Sequence, residues 1–162
     1  MKQRIKYKPF PKEISNLNIS DAFELDYEVF SCKEASKAKN IPLKHELKTI
    51  ILSTSKGFVA VHICGDKKVS LRGVKNFLKC KEARLCSLKE LSEMGLSIGT
   101  VCPLHEPVWS MYHLISEHIL NLKYVSTNNS TRMGYYIFSP KILLLTKVHK
   151  EGLFTSSIYS SI

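Results

Sequence analysis

Two short apolar runs near the end of the first third of the chain constrain its fold more than any other feature. Thr49-Ile-Ile-Leu52 and Phe58-Val-Ala-Val-His-Ile63 are rich in β-branched and aromatic side chains and are separated by the polar turn Ser53 to Gly57. Side chains of this kind fit a pleated surface, and the spacing predicts an antiparallel hairpin. Gly65-Asp66 ends its second strand, and Lys48 stands at the mouth of the first.

The rest of the chain is read outward from that hairpin. Upstream, Phe23 to Phe30 suggests a strand, or a short helix followed by one, and Ser31-Cys-Lys-Glu34 has capping-box spacing for a helix from Cys32 to Lys39, closed by Asn40 and Pro42. Downstream come an amphipathic helix from Arg72 to Lys79, a short strand from Ala83 to Cys86, and a second capping box, Ser87-Leu-Lys-Glu90, opening a helix that Gly95 can close. Trp109 to Ile115 reads as a strand, Ser116 to Leu120 as a helical turn, and Tyr124 to Ser126 and Tyr135 to Phe138 as strands about the polar turn Asn128-Asn129-Ser130. Ser139 and Pro140 suit the N-cap and first turn of a closing helix to Lys147. Strands and short helices are mixed without a regular β-α-β period, so the expectation is one compact domain of the α+β class. Residues 1–20 are expected to be a basic, solvated N-terminal arm, 21–150 the domain, and 151–162 a Ser-rich tail that frays.

Composition narrows the partners. The 162 residues carry 24 Lys and Arg against 14 Asp and Glu, a net charge of +10, which favours a polyanion such as nucleic acid. No apolar run is long enough to cross a bilayer, and the basic start leads into Pro9 and Pro11 rather than into a signal-peptide core, so a cytoplasmic protein is expected. Cys32, Cys64, Cys80, Cys86 and Cys102 form no C-x-x-C pair and are odd in number, so neither a metal site nor a closed disulfide framework is expected, and no cofactor is indicated.

One loop carries chemistry. In Gly99-Thr-Val-Cys-Pro-Leu-His105 a glycine that tolerates positive φ is followed by a proline that fixes φ, giving a stiff segment whose amides can face a ligand. Such a loop can hold an anion or a developing oxyanion, although the pattern alone is common.

The ordered combination is more specific. Glu46-Leu-Lys48-Thr-Ile-Ile-Leu52, the glycine-turned hairpin, Gly65-Asp66, Val69-Ser-Leu71, Leu88 to Gly95, the Gly99 to Pro103 loop and Ser139-Pro-Lys-Ile-Leu143 together resemble the YbaK/ProX aminoacyl-tRNA deacylases, relatives of the editing insertion of bacterial prolyl-tRNA synthetase. The resemblance runs from about Phe23 to Lys147. It implies a mixed twisted central sheet or partly closed barrel with short flanking helices, and a free-standing, trans-acting hydrolase that removes a small amino acid such as Ala or Cys from mischarged tRNA(Pro), with an aminoacyl-tRNA synthetase as a further possible partner. It makes Lys48 the chief functional side chain and the loop its substrate-positioning partner.

An aminoacyl ester is already activated, so such an enzyme needs to place water and stabilise a tetrahedral oxyanion. The amides of Gly99, Thr100, Val101 and Cys102 suit that task, with Lys48 adding a cation; Pro103, His105, Asn129, Ser130 and Gly134 are the candidate substrate-binding positions. Two rivals use the same residues. Cys102 with His105 could form a thiol nucleophile and its base, and a non-catalytic basic module could hold tRNA or a synthetase without hydrolysis. His45, His62, His113 and His118 read as structural.

Overall fold

A computed structural model describes residues 9–17, 19–147, 149–152 and 155–157. Its elements run β1 (Ser20–Glu24), α1 (Cys32–Lys39), β2 (Leu47–Thr54), β3 (Gly57–Cys64), β4 (Lys67–Val69), α2 (Leu71–Leu78), β5 (Ala83–Leu85), α3 (Leu88–Glu93), β6 (Tyr112–Ser116), α4 (Glu117–Leu120), β7 (Val125–Asn128), β8 (Gly134–Phe138), β9 (His149–Gly152) and β10 (Thr155–Ser157). The expected hairpin is β2–β3, paired from Leu47↔Cys64 to Thr54↔Gly57, with Gly57 at φ +105 supplying the turn conformation that a side chain would resist.

The hairpin is the middle of an open five-stranded sheet in the order β5-β2-β3-β6-β9. β2 is antiparallel to β3 and β5, whereas β6 lies parallel to both β3 and β9. A second antiparallel sheet has the order β1-β8-β7, and β10 pairs with β4. The fold is therefore α+β, with a mixed central sheet joined to the smaller antiparallel one by a parallel bridge between Glu46 and Ser126, and no closed barrel forms among the described residues.

Local chemistry sets the helix ends. At α3 the capping box is complete: Ser87 Oγ accepts from the Glu90 N–H at 3.1 Å, and Glu90 accepts from the Ser87 N–H at 3.0 Å. At α1 it is shifted by one residue, since Ser31 Oγ accepts from the Glu34 N–H at 3.0 Å but Glu34 accepts from the Phe30 N–H at 2.8 Å. Asn40, at φ 54, closes α1 in the left-handed region.

Several expectations are corrected. Residues 9–17 do not behave as a solvated arm: Ile14 is completely buried, and Phe10 packs on the same core as Leu104, Trp109, Ile115 and Phe138. Two apolar side chains in a basic segment are enough to draw it onto the domain. Residues 1–8 lie outside the described residues. Trp109 sits in a 3-10 turn (Val108–Ser110) ahead of β6 rather than in the strand. The closing helix is a 3-10 segment, Pro140–Leu145, and Ser139 makes no side-chain cap. Part of the serine-rich tail is ordered as β10, in register Thr155↔Val69.

One feature of the sheet positions the site. β5 covers β2 only from Leu52 to Thr54. Upstream, the Leu47 carbonyl accepts from Thr127 Oγ1 at 3.4 Å and the Ile51 carbonyl from the Cys86 N–H at 3.2 Å. Edge-facing backbone groups alternate along a strand, so the Thr49 N–H and C=O between them point outward along a stretch of edge that no strand covers among the described residues.

Candidate active site

That open edge forms the floor of a cleft of about 780 Å³. α1 and the segment before it form one wall, with Phe30, Cys32 and Lys39; the Gly65-Asp66 turn closes its inner side; and the opposite wall consists of Ile98, Gly99 and Val101 together with Asn128, Arg132 and Gly134. Lys48 and the glycine loop, far apart in the chain, thus share one cavity. The size suits a nucleoside-scale ligand.

Lys48 is half-buried, and its Nζ donates to the Lys67 carbonyl at 2.8 Å, which holds the ammonium in place. Two residues earlier, extended backbone puts Glu46 on the same side of the strand. Glu46 is 3% exposed; one carboxylate oxygen accepts from Lys39 Nζ at 2.9 Å, and the other has no hydrogen-bond partner among the described residues. Lys39 is well held, donating also to Ser126 Oγ at 2.9 Å and lying 4.6 Å from the Tyr135 ring centre. Burial raises the Glu46 pKa against the pull of Lys39 and lowers that of Lys39 against the pull of Glu46. Cys32 opens α1 between these groups; burial pushes its thiol up, and Lys48 opposes that shift.

Gly65 explains how these parts fit so closely. A Cβ there would stand 2.8 Å from the Leu43 carbonyl, 2.9 Å from Glu46 Cβ and 3.2 Å from Cys32 Cβ, so only a glycine lets the β3–β4 turn close against both residues.

The opposite wall is stitched together by hydrogen bonds, with Arg132 as its cation. Gly99 has φ +80, and Arg132 lies over it, donating to the Ile98 carbonyl at 3.0 Å with its guanidinium 4.5 Å from the Phe30 ring centre. Asn128 Nδ2 donates to the Val101 carbonyl at 3.0 Å, and Ser130 Oγ lies 2.7 Å from His105 Nδ1. Asn129 Oδ1 accepts from Thr131 Oγ1 at 2.6 Å, holding the β7–β8 turn, and a Cβ at Gly134 would overlap the Asn129 side-chain amide. These bonds tie the turn to the loop.

The predicted positions divide accordingly. Lys48, Gly99, Val101 and Gly134 line the cleft, whereas Thr100, Cys102, Pro103, His105, Asn129 and Ser130 are absent from its lining. Of the four amides expected to hold an oxyanion, that of Thr100 already donates to the Ser97 carbonyl at 3.2 Å, because residues 97–100 close a turn. Those of Gly99 and Val101 have no backbone partner among the described residues. The residues of the thiol pair stand outside the cleft lining: Cys102 is 1% exposed in the core, and the His105 ring nitrogens lie 2.7 Å from the Ser130 hydroxyl and 2.9 Å from that of Tyr136.

Behind Thr49 lies a chain of polar groups. His113 Nε2 is 2.8 Å from the Trp109 carbonyl, His62 Nε2 is 2.7 Å from His113 Nδ1, and His62 Nδ1 is 2.9 Å from Thr49 Oγ1. A carbonyl only accepts, so His113 donates to it from Nε2, His62 donates to His113, and the Thr49 hydroxyl donates to His62. Burial, with His113 adjacent, holds the His62 pKa well below the usual imidazole range, consistent with this neutral chain. Sequence reasoning treated both histidines as structural but gave no sign of their pairing. It also passed over Glu46, which the two-residue period from Lys48 could have revealed, and Asn128 and Arg132, for which no local signal exists.

The match to known proteins agrees with this geometry. Residues 26–132 match the family model for the aminoacyl-tRNA editing domain. The chain belongs to that family. It is also 30% identical over 90 residues to a proline–tRNA ligase of Sulfurihydrogenibium sp. (strain YO3AOP1); the match takes in 54% of this chain but spans only 16% of the length of that relative. Among solved structures, a proposed trans-editing enzyme for prolyl tRNA synthetase superposes with a TM-score of 0.75 at 21% identity, covering 85% of this chain and 87% of the other. A hypothetical protein superposes with a TM-score of 0.73 at 22% identity, covering 84% and 91%. At these identities the structural likeness is one of fold.

Proposed function

We propose that this chain hydrolyses the ester of mischarged aminoacyl-tRNA in trans, with tRNA(Pro) carrying a small amino acid such as Ala or Cys as substrate. The observation that carries this reading is the convergence of Lys48 and the Gly99 loop on one nucleoside-sized cleft in a chain of net charge +10. The choice of tRNA(Pro) is supported by the proline–tRNA ligase relative and by the structural neighbour described as editing for that synthetase.

In this mechanism the 3′ end enters with its ester carbonyl toward Lys48 and the Gly99 and Val101 amides. Water adds to the carbonyl carbon, and the negative charge that develops on oxygen is met by donors already in place. Collapse breaks the carbon–oxygen bond to the ribose, whose hydroxyl takes the proton, and releases the free amino acid. Arg132 and Lys33, both at the cleft, are placed to meet phosphate, so binding weakens as salt rises.

The test is ester loss from tRNA(Pro) charged with Ala, Ser, Cys or Pro. Turnover of at least one mischarged species, absent in Lys48→Ala, is the expected result. Saturable binding of all four without turnover would assign the cleft to a carrier module instead.

A further inference from the structure

The cleft contains an acceptor that the hydrolytic steps above do not use. Glu46 is almost wholly buried and lines the cavity, yet only one of its oxygens is engaged, by Lys39; the other has no partner among the described residues. Asp66, which follows Gly65 and lines the same cleft, also carries a buried oxygen without a partner among the described residues. Gly65 brings this turn to within 2.9 Å of Glu46 Cβ, measured from the Cβ it lacks, and Asp66 is the next residue of the turn. A buried carboxylate oxygen with no donor is costly, and a site that retains such atoms beside a cavity is built for a ligand that brings its own donors.

We infer that this corner, with Glu46 as its main acceptor and Asp66 as its second, binds the free α-ammonium group of the aminoacyl ester. The inference rests on the editing reading above and deepens it: the site then selects esters of unblocked amino acids and rejects N-acylated ones.

The spacing fits. Positions two residues apart on an extended strand, the spacing of Glu46 and Lys48 in the chain, are about 7 Å apart. In an α-amino ester the nitrogen and the carbonyl oxygen are about 3 Å apart, and a hydrogen bond of about 2.9 Å at each end completes a span of that order. An ammonium held by Glu46 therefore leaves the ester carbonyl directed at Lys48. The ammonium has three donors, enough for both carboxylates and for the outward-facing Thr49 carbonyl.

Lys39 has a separate part. Tied to Ser126 and lying over Tyr135, it fixes the orientation of the Glu46 carboxylate from the wall of the cleft. In Glu46→Gln the side-chain carbonyl can keep the Lys39 bond while the amide NH2 faces the cavity, putting a donor where the substrate needs an acceptor.

The test uses the full chain with two stable probes, 3′-alanylamido-3′-deoxyadenosine and its N-acetyl counterpart, titrated by calorimetry, alongside turnover of Ala-tRNA(Pro) and N-acetyl-Ala-tRNA(Pro). The wild type is expected to bind the free-amine probe about 10- to 100-fold more tightly, the range of one charge-assisted hydrogen bond. Glu46→Gln should bring that ratio close to one, and Asp66→Asn should lower it part of the way, with affinity for the N-acetyl probe held. A merely structural role for Glu46 would weaken both probes together, and that result overturns the inference. So does a wild type that binds the two probes equally, or binds neither, a readout that needs no variant to fold. Selective binding of the free amine with no turnover of either tRNA would remove the hydrolytic reading and leave the ammonium site standing. Turnover without amine preference would do the reverse.

Discussion

The two sides of the cleft are built on opposite plans. On the β2 and α1 side, charged groups are buried and incompletely matched: Lys48 is held by the Lys67 carbonyl, and Glu46 and Asp66 each carry an oxygen without a partner among the described residues. On the loop side, hydrogen bonds run from Asn128 to Val101, Ser130 to His105 and Arg132 to Ile98, and the turn below them is closed by Asn129 and Thr131. Asn129 Nδ2 in that turn is also buried without a partner among the described residues, so the contrast is one of charge: buried carboxylate oxygens left unmatched beside a cavity cost more than an unmatched amide N–H and read as the surface that meets substrate.

The largest expected effect tests the unmatched side. Lys48→Ala should lower kcat/KM for ester hydrolysis by about 10² to 10³, the usual effect of removing one oxyanion donor, while its melting temperature stays within a few degrees of the wild type. A variant that melts early and keeps its specific activity would move Lys48 to the scaffold side of the comparison.

The stitched side should respond in the opposite sense. Gly134→Ala forces a methyl group into the Asn129 amide and should cost about 1 to 3 kcal/mol in urea denaturation, with activity falling only as folded protein is lost. Gly99→Ala belongs between the two plans. Its φ of +80 costs an alanine about 1 to 2 kcal/mol, and the added methyl would meet Arg132 at 3.0 Å, so both stability and KM should suffer.

The histidine chain behind Thr49 sharpens the comparison through pH. His62 is held neutral in the folded protein, with its pKa well below the ordinary value, so the unfolded chain binds the extra proton first. Its contribution to stability is complete above about pH 6.5 and is lost as pH falls through that value toward the folded pKa, with a slope approaching about 1.4 kcal/mol per pH unit. Denaturation at pH 7.5, 6.5 and 5.5 should show that slope in the wild type and a shallower one in His62→Gln. Smallest of all is the effect of Cys102→Ser on catalysis. The thiol is buried away from the cleft, so specific activity should stay within about threefold of the wild type even though the hydroxyl, poorer in core contacts, lowers stability. Abolished turnover in a folded Cys102→Ser protein would revive the thiol mechanism.

How much of this was legible follows from the range of the interactions. The β2–β3 hairpin, the caps of α1 and α3 and the glycine loop are local, encoded within a few residues, and the sequence reading located them to within a residue or two. The resemblance pairs Lys48 with the Gly99 loop, and the fold brings them to one cavity. The division of labour inside the loop was not legible, because whether an amide is free depends on a turn such as Ser97 to Thr100 closing on itself. Arg132 and Asn128 reach the loop from about 30 residues away, and the pairing of His62 with His113 depends on β3 and β6 being neighbours. Ile14 shows the same limit from the other side: an apolar residue in a basic segment counts as core only once there is a surface to receive it.

The central claim is that the uncovered edge of β2 and the Gly99 loop form the seat of the aminoacylated 3′ end. Amide hydrogen exchange with and without saturating 3′-alanylamido-3′-deoxyadenosine tests it most directly. Bound probe should slow exchange at Thr49, Gly99 and Val101 and leave the second hollow, beside Phe77 and Tyr112, unchanged. Protection confined to that hollow, or none along residues 47–51 and 98–101, would contradict the account.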